Sequence, residues 1–139
     1  MSFLPRFFSD RRGNMAETAL TLPVLLMVSL GLINLALFGI AGANANNAAN
    51  YGARIGSVAQ NNQVSQATNA TWEKLTAAPI GDYAVNVTAT GTPGGLVAVR
   101  VTYSVPNYFA GLTGFFGIQT AGTFQNTALS YFRQEGWTP

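Results

Sequence analysis

Residues 18–53 read TALTLPVLLMVSLGLINLALFGIAGANANNAANYGA and contain no charged side chain. A hydrocarbon core ~30 Å thick is spanned by ~20 helical residues, whereas this whole stretch would reach ~54 Å as a helix at ~1.5 Å per residue. Its first part, residues 19–43, is rich in leucine, valine and isoleucine and predicts a transmembrane helix. The second part has four asparagines between residues 44 and 50, which are costly in lipid. We therefore expect the helix to leave the membrane near residues 43–45 and to continue in water to about Ala59.

Three arginines precede the charge-free stretch, at Arg6, Arg11 and Arg12. Positive residues beside a span stay on the cytoplasmic side. We therefore expect a single-pass protein of the inner (cytoplasmic) membrane, with its N-terminus inside and its C-terminal domain outside. A secretory signal peptide also begins with a basic flank, but its apolar part is only ~7–15 residues long. A binding module that is secreted after cleavage near residue 43 is thus a competing hypothesis with less support.

The composition bounds the chemistry of this chain. Only 9% of its residues are charged, against ~25% in soluble domains. From Gly56 onward acidic and basic side chains are equal in number, so no basic nucleic-acid-binding face is indicated. Cysteine and histidine are absent, which excludes thiol nucleophiles, imidazole bases and the common soft-metal sites, and neither Gly-x-Ser-x-Gly nor Ser-x-x-Lys occurs. We expect a protein that is not an enzyme and that binds no cofactor, metal or nucleic acid.

The part of the chain beyond the long helix has the pattern of a small mixed domain. Residues 64–78 have apolar side chains at helical spacing and are followed by Pro79. Residues 83–89 and 97–105 alternate around a Gly/Pro turn, which predicts an antiparallel hairpin. Residues 120–133 predict a third strand, with four packing side chains: Phe124, Leu129, Tyr131 and Phe132. We expect an α+β fold, in which a long N-terminal transmembrane helix packs against a small antiparallel three-stranded sheet with one short extra helix.

The segment at residues 107–118 is predicted to be a loop with many aromatic side chains. It either folds over the edge of the core or presents Phe109, Phe115 and Phe116 to a neighbouring subunit or to the membrane surface. An exported domain of this size without disulfides is marginal by itself. We therefore expect the protein to be oligomeric.

Small residues at helical spacing are candidates for close helix packing. Gly52 and Gly56 lie in the part of the helix that we expect outside lipid, where they permit close approach to the sheet or to another helix. Gly39 and Ala43 have the same spacing within the expected span.

Two motifs resemble those of a known family. Residues 11–26, RRGNMAETALTLPVLL, resemble the N-terminus of TadE-like pseudopilins, in which basic residues and a glycine precede Glu-x-Ala-Leu-x-Leu-Pro. Residues 47–54, NAANYGAR, are similar to the Asn-Ala-Ala-Arg-x-Gly-Ala-Arg segment of that family. The resemblance covers nearly the whole chain, but its C-terminal half matches in pattern only. It implies a minor pilin or pseudopilin that acts in assembly of a tight-adherence type IV pilus or filament.

The resemblance also implies partners and roles for particular residues. A prepilin peptidase would cut between Gly13 and Asn14, and the long helix would then be available as a pilin-like stalk in a filament or its base. Glu17 would compensate the new α-amino group of an adjacent subunit; it is otherwise an interfacial glutamate, solvated by headgroups or paired with Arg11 or Arg12. The implied partners are the lipid bilayer, other pilin-like or membrane subunits, the peptidase and the pilus assembly platform.

One alternative remains for the processing of the chain. Glu17 follows Gly13 by four positions, where the family typically has five, and asparagine is unusual as the first mature residue of a pilin. An uncleaved chain would be a single-pass membrane accessory subunit of a larger membrane complex. The expected organisation is a cytoplasmic basic leader at residues 1–14, the transmembrane helix and its extension at residues 15–59, and an exported α+β domain at residues 60–139.

Overall fold

The computed structural model describes residues 11–115 and 117–135. Along the chain it has α1 (Arg11–Val58), α2 (Gln63–Thr76), β1 (Asp82–Ala89), β2 (Leu96–Pro106), α3 (Phe109–Phe115) and β3 (Thr123–Arg133). The strands form one antiparallel sheet in the order β1-β2-β3. The predicted α+β fold, with a long N-terminal helix packed on a three-stranded sheet, is confirmed.

Helix α1 is continuous over 48 residues and includes Pro23. It runs through the asparagine-rich segment and ends at Val58, one residue before the predicted end at Ala59. A single turn separates it from α2, and Asn62 at the start of α2 has a φ of 54°. Asparagine tolerates this left-handed conformation better than most residues, so it suits the reversal between the two helices.

The core lies between the second half of α1 and one face of the sheet. Strand β2 contributes its buried side chains at every second position, as the period of a strand requires; they are Val97, Val99, Val101, Tyr103 and Val105. The facing residues of α1 are small, and they are Ala41, Ala45, Ala48, Ala49 and Ala53. Alanines at these positions let the helix backbone lie close to the large side chains of the sheet.

Strand β3 packs differently from the prediction. Leu129, Tyr131 and Phe132 are 41%, 58% and 38% exposed, so their assignment as packing side chains is wrong. Phe124 is 41% exposed but packs against Phe38 of α1, with 6.1 Å between the ring centroids. The buried residues are Ala128 and Ser130, which pair with Val101 and Val99 of β2. Ser130 Oγ forms a 2.6 Å hydrogen bond with Asn50 Oδ1 of α1. Because α1 lies against the middle of β3, only small side chains fit there, and the large ones occupy the strand ends or the outer face.

The predicted loop at residues 107–118 also differs in part. It contains the short helix α3, and Thr113 in that helix is buried. Thr113 Oγ1 lies 2.9 Å from Thr120 Oγ1, and the Ile118 N–H donates a 2.9 Å hydrogen bond to the Thr113 carbonyl. Glycines at positions 111 and 114 argued for a loop, but tertiary contacts outweigh intrinsic propensity in so short an element.

Candidate functional site

The first part of α1 presents an apolar surface that the rest of the described chain does not cover. The described side chains between residues 15 and 33 are all exposed or half-buried. Leu20 and Leu25, for example, are 75% and 64% exposed. Within the described residues, α1 is the one helix that is long and apolar enough, by length and composition, to cross a membrane. So large an apolar surface needs lipid or other helices as its surroundings.

Asn34 is the first buried residue in the described part of α1, at 4% exposure. Its side-chain Nδ2 donates a 3.1 Å hydrogen bond to Asn107 Oδ1. Its Oδ1 accepts a hydrogen bond of 3.3 Å from the Tyr108 N–H. A buried amide is stable in an apolar helix when its polar atoms have partners. Asn34 therefore marks the level at which the C-terminal domain begins to contact α1.

Asn107 connects the segment that precedes β3 to Asn34 of α1 through hydrogen bonds. Its N–H donates to the Gly122 carbonyl at 2.9 Å, and its Nδ2 donates to the Ala121 carbonyl at 2.8 Å. Its Oδ1 also accepts a 3.0 Å hydrogen bond from the Phe109 N–H. The two ends of residues 107–122, which we name the collar segment, are thus held together and fixed to Asn34. One member of the collar segment, Phe116, lies outside the described residues.

An open apolar groove of about 510 Å³ lies between the collar segment and α1. Its lining comes from α1, from the collar segment and from the start of β3, and consists of Gly31, Asn34, Leu35, Phe38, Asn107, Phe109, Thr120, Ala121 and Phe124. The ring of Phe38 is 5.3 Å from that of Tyr103 and 6.1 Å from that of Phe124, measured between centroids. The two amide side chains in the lining, Asn34 and Asn107, are hydrogen-bonded to each other and not to an occupant of the groove. The remaining lining is mainly apolar, so the groove suits an apolar occupant.

The residues proposed for processing lie at the start of α1. Gly13 and Asn14 are within its first turns. Glu17 is exposed, and its backbone carbonyl accepts a 2.8 Å hydrogen bond from Thr21 Oγ1. Of the predicted basic leader, residues 1–10 lie outside the described residues.

The two pairs of small residues have different surroundings. A Cβ atom at Gly52 would meet Thr71 Oγ1 and would lie 2.8 Å from the Ala67 carbonyl oxygen. At Gly56 it would lie 2.8 Å from the Ala67 Cβ. Gly52 and Gly56 are therefore placed against α2, inside the domain.

Gly39 and Ala43 are exposed, and a Cβ atom at Gly39 would meet no atom within 4 Å. This pair leaves a face of α1 open beside the domain. Among the predicted contact residues, Phe109 lines the groove and is half-buried. Phe116 lies outside the described residues, and the side chain of Phe115 does as well.

The sequence prediction missed Asn34 and Asn107. A polar side chain within a leucine-rich helix is a signal of function or of a specific partner, and Asn34 was available as such a signal. Asn107 directly follows Pro106 at the end of β2, where a capping or turn side chain is common. Their pairing, over 73 positions, has no signature in the sequence.

Among the described residues, no group of three aspartate, glutamate, histidine or cysteine side chains is placed to hold a metal ion. Lys74 lies over the ring of Tyr51, with its Nζ 4.6 Å from the centroid. This cation–π contact joins α2 to α1 and has a structural role.

Residues 15–54 match the model of a protein family described as TadE-like protein. The matched region contains the uncovered apolar part of α1 and most of its buried part. Neither a curated protein nor a solved structure matches the chain. The family match suggests a pilus-associated, pilin-like protein with a structural rather than an enzymatic role, and with α1 it suggests a single-pass membrane protein. The predicted resemblance is confirmed: over residues 15–54 this chain is similar to TadE-like proteins.

Proposed function

We propose that the protein is a pilin-like structural subunit, a TadE-like minor pilin or pseudopilin, that acts in assembly of a tight-adherence type IV pilus or filament. The observation that carries this proposal is the division of α1 within the TadE-like region. Its first part is uncovered and apolar, and its second part forms half of the core of a small domain. A stalk of this kind can occupy a bilayer as a single helix, or a bundle of like helices in a filament, without a change of fold.

The proposed placement follows the arginines at the N-terminus. Residues 1–14 lie in the cytoplasm, the first part of residues 15–59 crosses the inner membrane, and residues 60–139 lie outside. The partners are the bilayer and other pilin-like or membrane subunits of an oligomer, including the assembly platform. The open face of α1 at Gly39 and Ala43 is the proposed surface for a neighbouring helix, since small residues let two helix backbones approach closely.

Processing by a prepilin peptidase is the part of the proposal that can be tested most directly. Cleavage between Gly13 and Asn14 would remove the basic leader and place a new α-amino group near the start of the apolar helix. Glu17 of an adjacent subunit would compensate that charge, because an unpaired charge is costly beside lipid.

The test is the mass of the chain from cells that express the pilus system. The expected product of the native chain lacks thirteen residues and begins at Asn14, and Gly13→Leu keeps the full mass. Gly31→Ala is the control in the same helix, because a Cβ atom at Gly31 meets nothing within 4 Å, and it should be processed normally. A native chain that keeps its leader in assembled filaments would contradict the proposed processing.

The uncleaved membrane accessory subunit is the second candidate. One observation favours it: α1 is already helical from Arg11, so the bond after Gly13 lies inside a helix rather than in an extended segment. An accessory subunit would keep its full mass and purify from membranes with larger partners. Recovery only in sheared fibres would exclude it.

A secreted module released near residue 43 has less support from the fold. Ala41 and Ala45 are 0% exposed and pack in the domain core. Cleavage between them would remove part of the packing surface of the domain, and Phe38 with its contacts to Tyr103 and Phe124.

A further inference from the structure

We propose that the collar segment rests on the outer surface of the membrane and that the apolar groove beside it holds phospholipid acyl chains. The hydrocarbon core then ends near Asn34 rather than at residues 43–45, a displacement of ~14 Å along the helix at ~1.5 Å per residue. The inference rests on the proposed membrane placement of α1 and adds where the domain sits and what it binds.

The length of the uncovered helix is the first support. Nineteen residues, from Met15 to Ile33, precede Asn34, which is the first buried residue in the described part of α1. They reach ~28 Å at ~1.5 Å per residue, close to the ~30 Å of a hydrocarbon core. Extension of the span to residue 43 would give ~43 Å by the same rise. The uncovered part of α1 therefore matches one bilayer by itself.

The backbone of the collar segment is the second support. Residues 118–121 belong to no helix or strand and are exposed. Irregular backbone exposed to lipid does not occur inside the hydrocarbon core, because its N–H and carbonyl groups have no water to bond. The bonds from Asn34 to Asn107 and Tyr108 hold the collar segment at the level of Asn34. The exposed backbone of residues 118–121 must lie outside the hydrocarbon core, so the core ends near the level of Asn34.

The composition of the collar segment suits the membrane surface. It has no charged residue between positions 107 and 122. Tyr108 and Ile118 are 53% and 57% exposed and thus available to the headgroup region. Aromatic side chains concentrate at this level, and apolar surface there is buried ~5–10 Å into the boundary between headgroups and acyl chains.

The position of the groove identifies its occupant. Gly31 and Leu35 belong to its wall and lie on either side of the level of Asn34 along α1, so the groove continues the uncovered surface of the helix. With the bilayer ending near Asn34, acyl chains of the outer leaflet reach this wall. The lining is mainly apolar, so a ligand can bind there without any polar group. An acyl chain therefore fills the groove, and the helix of a second copy is the competing occupant.

The absence of cysteine makes the depth of each position measurable. The full chain would be reconstituted in vesicles of phosphatidylcholine and phosphatidylglycerol, with a nitroxide on one introduced cysteine. Leu25→Cys probes the span, Ala43→Cys the disputed region, and Ile118→Cys the collar segment. Thr127→Cys, on the exposed outer side of β3, is the control in water. Oxygen is enriched in lipid, so frequent collisions of the nitroxide with oxygen indicate a lipid-exposed position. A nickel chelate stays in water, so frequent collisions with it indicate a water-exposed position.

The expected result is oxygen access at Leu25, nickel access at Ala43 and Thr127, and reduced nickel access at Ile118. Nickel exclusion together with oxygen access at Ala43 would overturn the boundary at Asn34. Nickel access at Ile118 equal to that at Thr127 would show that the collar segment does not touch the membrane. Nickel access at Leu25 is a separate failure, because it would remove the membrane placement of α1 and the proposed function with it.

The occupant is tested with lipids whose acyl chains carry bromine, which quench a fluorophore at short range. A fluorophore on Ala121→Cys, in the groove lining, should lose its emission, and one on Thr127→Cys should not. Equal emission at both positions would overturn acyl-chain binding. If a pyrene label at Ala121→Cys shows excimer emission between copies instead, the groove holds a second helix and the proposal is wrong.

Discussion

The contact of α1 with α2 at Gly52 gives the most quantitative prediction. Gly52→Ala places a Cβ atom against Thr71 Oγ1 and 2.8 Å from the Ala67 carbonyl oxygen. Overpacking of a core costs ~1–3 kcal/mol, and the cost falls at the upper end here because one of the two atoms is backbone. Alanine in place of glycine also stabilises a helix by ~1 kcal/mol. We expect a net loss of ~2 kcal/mol in the free energy of unfolding, after this gain is subtracted from the overpacking cost.

The assay is thermal unfolding in detergent micelles, followed by near-ultraviolet circular dichroism, which reports the packing of aromatic side chains. For a domain of 60–100 residues, ~1 kcal/mol shifts Tm by ~4–8 °C, so Gly52→Ala should lower it by ~8–16 °C. The matched control is Gly39→Ala in the same helix, where the Cβ atom meets nothing within 4 Å. It should leave Tm unchanged or raise it by up to ~8 °C.

A second substitution, at Thr71, tests whether the loss of stability in Gly52→Ala comes from its contact with Thr71 rather than from a change in α1 alone. Thr71→Ala removes Oγ1, the atom that the new Cβ atom meets, and with it a 2.7 Å hydrogen bond to the Ala67 carbonyl. In the double variant we expect part of the loss from Gly52→Ala to be recovered, which a double-mutant cycle measures directly. Equal Tm values for Gly52→Ala and Gly39→Ala would refute the close approach of the two helices.

Two further predictions concern the polar contacts of α1. Asn34→Leu leaves the Tyr108 N–H without its acceptor and removes one of the two hydrogen bonds that Asn107 Oδ1 accepts, while the bond from the Phe109 N–H remains. The cost is ~1–3 kcal/mol, and faster hydrogen exchange should appear in the collar segment but not in β2. Unchanged exchange would contradict the role of Asn34. Ser130→Ala removes the 2.6 Å hydrogen bond to Asn50 and should destabilise the domain by ~1 kcal/mol, seen as a fall of ~4–8 °C in Tm. Thr127→Ala on the outer side of β3 removes only an exposed 3.3 Å contact with Thr102 Oγ1 and should change Tm little.

The elements with strong local patterns were predicted well. The alternation at residues 83–89 and 97–105 led to the hairpin of β1 and β2, because a half-buried strand repeats every two residues. The apolar run of α1 and its continuation beyond the expected span were also predicted, with an end near Ala59 where the helix ends at Val58. Packing was not: Leu129 and Tyr131 look like core residues by type, yet Ala128 and Ser130 occupy the core, because α1 leaves room only for small side chains.

The candidate site divides in the same way. The composition of the collar segment drew attention to Phe109, but its short helix and its attachment to α1 depend on Asn107. Gly52 and Gly39 have the same spacing in the sequence, since each has a small residue four positions later. The tertiary structure shows what each one contacts: α2 lies against Gly52, and nothing described lies within 4 Å of a Cβ atom at Gly39.

By itself, the sequence determined that the charge-free residues 18–53 belong to one long helix, that a small α+β domain follows, and that residues 15–54 are similar to TadE-like proteins. These properties are local, because hydropathy and helical periodicity are carried by neighbouring residues. The tertiary structure decided where the domain meets the helix. Asn34 lies within the span expected from the sequence, residues 19–43, but its side chain is buried against the domain by hydrogen bonds to Asn107 and Tyr108. A contact over 73 positions is created by folding, so no local pattern could have placed it.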